Sequence, residues 1–139
     1  MDMSDVPSGQ GVVTVGPDEP LSSVASKMLD HSVGCVIVVE DGRMSGILTE
    51  RDMLAAVRDP NGGGGTRARD AMVTDVMACG PCVDMRAAQS MMAERRVRHL
   101  PIVEDGRPVG MISARDVMEY QRAQDARMRE AAEEIARLF

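Results

Sequence analysis

Val39-Glu40-Asp41-Gly42-Arg43 and Gly46-Ile47-Leu48-Thr49-Glu50-Arg51-Asp52 return 64 residues later as Val103-Glu104-Asp105-Gly106-Arg107 and Gly110-Met111-Ile112-Ser113-Ala114-Arg115-Asp116. The same register pairs Gly16-Pro17 with Gly80-Pro81 and Met28 with Met92, so it runs unbroken through two loops. Periodicity of this kind marks one supersecondary unit used twice. Two copies fill nearly all of the 139 residues, so function is expected from the pair and not from an added catalytic domain.

Each copy reads as β-α-β-β-α. In the first, Val12-Val13-Thr14-Val15 is a short strand ended by Gly16-Pro17. Asp18 to Pro20 open a helix with Leu21, Val24, Ala25, Met28 and Leu29 on one apolar face. Val33 to Val39 is β-branched and almost continuously apolar, as a strand covered on both sides should be. Asp41-Gly42 turns the chain, and Ser45 to Leu48 returns as the hairpin partner. Thr49, with Asp52 three residues on, has the capping-box arrangement for a second helix whose apolar side is Met53, Leu54 and Val57. In the second copy Val76 to Cys79 is the first strand, Met85 to Met92 lies in the first helix, and Leu100 to Val103 is the buried strand. Asp105-Gly106 then turns the chain and Ser113 caps the last helix.

The expected organisation is a first repeat at 11–57, a linker at 58–67, a second repeat at 68–121 and a helical extension at 122–139. The linker carries four consecutive glycines, Gly62 to Gly65, and reads as a mobile hinge. Each unit alone is too small to be securely stable, which favours docking of the two on each other. Val117 to Phe139 has no Gly or Pro and should continue the last helix. Met128, Ala131, Ile135 and Leu138 recur at spacings of three and four, a short coiled-coil-like seam. That segment either folds back on its own module or packs on a second subunit or effector protein.

Aromatic residues are nearly absent, so the core must be built from Val, Ile, Leu, Met and Ala; there are 13 methionines. A net charge of -6 disfavours general binding to nucleic acid or to an anionic membrane. No apolar run is long enough to span a bilayer, and the polar, acidic opening does not read as a secretory signal, so a cytoplasmic location is expected. Cys35, Cys79 and Cys82 do not make a disulfide framework. Cys79-Gly80-Pro81-Cys82 has redox or metal-ligand spacing, but Cys79 falls at a strand end, away from the helix N-terminus a reactive thiol wants. A structural zinc site lacks its second cysteine pair, so buried small hydrophobes are the preferred reading of these cysteines and no metal is expected. His31 and His99 lack a convincing nucleophile partner, no phosphate-binding P-loop or zinc-hydrolase motif occurs, and Asp52 and Asp116 belong to separate copies. An enzyme is therefore not expected.

The strand before an acidic-Gly turn, followed by Gly-hydrophobic-hydrophobic-Thr/Ser-x-Arg-Asp entering a helix, resembles the cystathionine-beta-synthase (CBS) domain. Its tandem form is the pair often called a Bateman module. Val97-Arg98-His99-Leu100-Pro101-Ile102-Val103 and the lead-in Arg69-Asp70-Ala71-Met72 carry the same resemblance, whereas Pro7 to Gly11 replaces such a lead-in before the first copy. The resemblance implies an α/β fold (α+β by some schemes): tandem repeats packed with pseudo-two-fold symmetry, plus the C-terminal helical extension. It also implies two clefts for adenosyl ligands such as AMP, ADP, ATP or S-adenosylmethionine, which act as effectors and not as cofactors, and a homodimer acting on an unidentified protein partner.

Carried over residue by residue, Asp52 and Asp116 would hold the ribose diol, a role that suits a carboxylate's several acceptor sites. Thr49 and Ser113 would bond ribose or phosphate. Arg98 and His99 would face phosphates, the Arg98 guanidinium offering a rigid fork of donors. Val12, Val13, Val76 and Met77, with Ile47 and Met111, would form an aliphatic slot for the base. Gly34 and Cys35 stand where the second copy has Arg98 and His99, so the two clefts should differ. In the competing reading, Thr49/Asp52 and Ser113/Asp116 are helix caps alone, and the module is a ligand-independent oligomerisation or protein-interaction unit.

Overall fold

The computed structural model describes residues 12–60 and 65–138. The acidic opening, residues 61–64 (and with them Gly62 to Gly64 of the expected hinge) and Phe139 lie outside the described residues. In chain order the elements are β1 (Thr14–Val15), α1 (Leu21–Asp30), β2 (Cys35–Glu40), β3 (Arg43–Thr49), α2 (Glu50–Arg58), α3 (Ala68–Ala71), α4 (Met85–Arg95), β4 (His99–Glu104), β5 (Arg107–Ser113) and α5 (Ala114–Leu138). β1 runs parallel to β2, which pairs antiparallel with β3; β4 and β5 form a separate antiparallel pair.

The 64-residue repeat is written into the backbone. Asp41-Gly42 and Asp105-Gly106 all have positive φ, the two-residue hairpin geometry whose twist matches that of the flanking strands. Ser32 and Arg96, also 64 apart, share φ 54. Each lies in the left-handed turn that ends its helix, and Val33 N–H to Met28 C=O and Val97 N–H to Met92 C=O close both ends at 3.0 Å. The β-bulges after Val38 and after Ile102 are the same distance apart.

Val24, Val36, Val38 and Leu48 centre one core; Ala88, Leu100, Ile102 and Ile112 centre the other. Between them a shared layer joins Cys35 and Ile37 of β2 to Met111 of β5. The hairpin turns meet reciprocally: Gly42 lies against Arg107 and Gly106 against Arg43. The Met44 N–H donates to the Gly106 carbonyl at 2.8 Å. Exchanged contacts of this kind are those of a pair packed with pseudo-two-fold symmetry.

Several elements depart from the sequence expectations. β1 is Thr14–Val15 only, and β2 begins at Cys35, not at Val33. Val76 to Cys79 is not a strand: the Val76 N–H turns back to the Thr74 carbonyl, leaving Cys79 alone to bridge β4 at Ile102. The lead-in α3 packs on the first unit, not the second. Ala68 is fully buried in the first core, and Val73 exchanges both backbone hydrogen bonds with Ile47 of β3. Gly46 makes that crossing possible, since a Cβ there would lie 2.8 Å from the Val73 carbonyl oxygen. With α3 on that core, α2 buries none of its residues, and Leu54 and Val57, expected to pack, are 70% and 80% exposed. Leu29, at the end of α1, is likewise exposed, because α1 buries only the Val24–Met28 stripe. Cys35 and Cys79 are buried as expected, but Cys82 is exposed, in the turn that follows Gly80. Among the described residues no helix is long and apolar enough to cross a membrane.

Candidate functional site

Two helix starts in this fold have the same construction. At the start of α2 the Thr49 N–H and hydroxyl donate to Asp52 Oδ2 at 2.9 and 3.0 Å, and the Asp52 N–H returns a bond to Thr49 Oγ1 at 3.3 Å. At the start of α5 the Ser113 N–H donates to Asp116 Oδ2 at 2.8 Å, and the Asp116 N–H to Ser113 Oγ at 3.2 Å. The capping boxes are thus formed as expected. In each carboxylate the bonds fall on Oδ2; Oδ1 has no hydrogen-bond partner among the described residues. Capping therefore uses half of each carboxylate and leaves the other half open.

Asp52 faces a cleft of about 620 Å³. Its walls come from both copies: Ile47, Thr49 and Asp52 from the first, Val76, Met77, Arg98 and His99 from the second. Seven of the twelve residues expected to bind a ligand therefore share one cavity. The other five lie elsewhere. Asp116 borders a smaller depression of about 200 Å³ with Glu119, Tyr120 and Arg127. Ser113 is at its capping box, Met111 is buried between the two cores with Val12 against it, and Val13 packs on the first core. The cleft therefore puts Arg98 and His99 with the first copy's Asp52 and not with their own copy's Asp116.

The cleft is mixed in charge. Arg51, Arg96 and Arg98 line it together with Glu50, Asp52 and Asp75. Burial pushes the His99 imidazole below its ordinary pKa and Arg98 adds to that, while the charges of Glu50 and Asp116 oppose it. Burial thus favours the neutral form of His99. Val97, which opens the Arg98-His99 stretch, also lines the cleft, as do Val73, Asp75 and Arg96, which belong to none of the quoted motifs. Val73 and Asp75 arrive only because the lead-in crosses β3, a contact between distant segments that no local pattern announces. Gly34 lines it too, with its carbonyl accepting the Glu50 N–H at 3.0 Å.

The two buried cysteines are held away from the thiolate form. Burial raises the pKa of Cys79 and, with the charge of Asp52, pushes that of Cys35 up to about 12. Both therefore stay as thiols. Among the described residues no group of three or more His, Cys, Asp or Glu side chains is placed to hold a metal ion.

The chain resembles known proteins in sequence and in fold. The CBS domain family model matches residues 3–59 and again 68–123. The CBS domain-containing protein YhcV of Bacillus subtilis is 31% identical over 115 residues, covering 83% of this chain and 82% of YhcV. The crystal structure of the CBS-domain containing protein ATU1752 from Agrobacterium tumefaciens superposes with a TM-score of 0.73 at 35% identity, covering 81% of this chain and 91% of that one. The cytosolic domain of the Mg2+ channel MgtE, solved in complex with ATP, superposes with a TM-score of 0.68 at 25% identity, covering 81% of this chain but 46% of MgtE's. The chain therefore belongs to the CBS domain family and carries two copies of the domain.

Proposed function

We propose that this chain is a regulatory module that binds an adenosyl ligand, and that its 620 Å³ cleft holds the ligand. The observation that carries this reading is the open Oδ1 of Asp52 in a cavity that also contains Arg98 and His99. An ionised carboxylate with a free oxygen accepts from the two hydroxyls of a ribose. Arg98 supplies charge-assisted donors for phosphate, and His99 gains a proton as the anion approaches. Ile47, Val76 and Met77 give the base an aliphatic surface. The phosphate-facing cations favour AMP, ADP or ATP over S-adenosylmethionine, and the relative MgtE was crystallised with ATP. The module senses and does not catalyse; it works as a cytoplasmic homodimer on a protein effector. The exposed apolar residues of α5, Met128, Ile135 and Leu138, support an assembly role.

Isothermal titration with ATP, AMP and adenosine tests the reading, with binding expected between micromolar and millimolar, roughly -8 to -4 kcal/mol. Asp52→Asn should weaken ATP about tenfold or more and erase the preference for ribose over 2′-deoxyribose. Tenfold is about 1.4 kcal/mol, at the lower edge of the range of about 1.5–3 kcal/mol for a hydrogen bond to a charged group. Absence of heat with every ligand up to millimolar concentration would instead support the second reading, in which the capping boxes are purely structural and the module binds only proteins.

A further inference from the structure

The two units tie strand to helix by the same bond, but only one of them has something to pull on and something long to move. In the first, the Glu50 N–H that begins α2 donates to the Gly34 carbonyl at 3.0 Å. In the second, the Ala114 N–H that begins α5 donates to the Arg98 carbonyl at 2.8 Å. Gly34 has no side chain to meet a ligand, and α2 is nine residues long. Arg98 lines the cleft with a long cationic side chain to offer a ligand, and α5 runs for 25 residues.

We propose that α5 is the output element of this module, and that ligand occupancy of the cleft reaches it through the Arg98 carbonyl to Ala114 N–H hydrogen bond. The inference rests on the adenosyl-ligand reading of the cleft and adds the route by which occupancy leaves it. α5 is held only at its start. Ala114, Val117 and Tyr120 pack on the second core, and Ser113 and Asp116 close the capping box. Beyond residue 124 every described position is exposed, including Met128 at 70% and Leu138 at 75%. A helix anchored at one end acts as a rod. At 1.5 Å per residue it is about 37 Å long, and a tilt of about 5° at the anchor carries the tip roughly 3 Å.

The anchor is built from cleft residues. Arg98 and His99 line the cavity, and their backbones fix the start of α5: Arg98 through the Ala114 bond, His99 through its register with Ser113. A phosphate that draws the Arg98 side chain and charges His99 acts on a segment already bonded to the helix. The Asp116 carboxylate, whose charge reaches His99, sits in the capping box of that same helix. The first unit has this wiring without the handle or the rod, so the response should be confined to α5.

The test is a spin-label distance between Arg58→Cys at the end of α2 and Arg137→Cys near the tip of α5. The background is Cys82→Ser, and the labelled chain is diluted with unlabelled protein so that only distances within one chain are read. Calorimetry on the same samples reports ATP binding. ATP should shift the distance by about 2–4 Å, the scale of the tip movement above. Ala114→Pro removes the N–H at a helix position where proline is well accommodated. It should leave ATP affinity within about twofold and abolish the shift. Adenosine, which has no phosphate to draw Arg98, should shift the unaltered chain less than ATP does, a comparison that needs no variant at α5. ATP binding with no change in distance, an unchanged shift in Ala114→Pro, or equal shifts from ATP and adenosine would each overturn the route while leaving the cleft intact. Failure of ATP to bind at all would overturn the cleft reading and the route together.

Discussion

Residues 34–35 and 98–99 occupy one backbone position in the two repeats, yet Gly34 and Cys35 have little in common with Arg98 and His99. Both segments leave a left-handed turn, enter the first strand of their unit's hairpin, and accept a hydrogen bond from the first residue of the helix after that hairpin. The backbone plan is therefore indifferent to which side chains stand there. Chemistry was free to diverge at this address, and Arg98 and His99 stand on the cleft that holds Asp52. The surroundings diverged too. The first unit gathers β1 and the lead-in α3 onto its core, while the second keeps a two-stranded sheet with only the Cys79 bridge beside it.

The largest expected effects ask whether the two cores are equal. Leu48 and Ile112 are counterparts, both fully buried. Leu48→Ala and Ile112→Ala should each cost about 2–5 kcal/mol. Because the units share the Cys35–Ile37–Met111 layer, urea should unfold both variants in one transition. Two separated transitions would show that the repeats are independent. Next comes the difference at the cleft. Arg98→Ala should weaken ATP by about 1.5–3 kcal/mol, the range for losing a bond to a charged group, and leave adenosine nearly unchanged. In the counterpart Gly34→Ala, the new Cβ meets only the flexible Glu50 carboxylate, at 3.3 Å, and little change in ATP affinity is expected. Equal losses from the two substitutions would remove the asymmetry.

Gly46 and Gly110 sharpen the comparison at a similar scale. A Cβ at Gly46 would meet backbone, the Val73 carbonyl at 2.8 Å, whereas one at Gly110 would meet the Ile102 Cδ1 at 2.9 Å, a side-chain end that can turn. Gly46→Ala should cost about 1–3 kcal/mol, and Gly110→Ala less, in the same urea experiment. The reverse order would mean that the lead-in is not locked onto β3. The smallest effect is that of His99. Its folded pKa lies below the unfolded value of about 6.5, with burial as the main cause. The stability it contributes is full above that unfolded value and is lost as pH falls toward the folded one. The stability of the free protein should therefore decline on acidification below about pH 6.5 more steeply in the wild type than in His99→Gln. Parallel pH profiles would show that burial of His99 is energetically silent.

Features fixed within a few residues of chain were legible before the structure. The Asp-Gly turns need positive φ at both positions, and Thr49 with Asp52 closes bonds three residues apart; local chemistry suffices for each. So were the repeat and the run of α5. The missed features depend on distant segments. Leu54 and Val57 have the spacing of a buried face, but α3 takes the place against that core. Val76 has a strand-former's side chain, but its N–H is engaged with Thr74. The motif in each copy identified Asp52 and Asp116 as equals. Only the docking of one unit on the other shows that Arg98 and His99 share a cavity with Asp52.

That pairing is tested most directly by a crystal structure of the protein grown with saturating ATP. The ribose hydroxyls should lie within hydrogen-bond distance of Asp52 Oδ1, the phosphates against Arg98 and His99, and the base beside Val76 and Met77. ATP held at Asp116 with the Asp52 cleft empty, or crystals that take up no ATP, would contradict it.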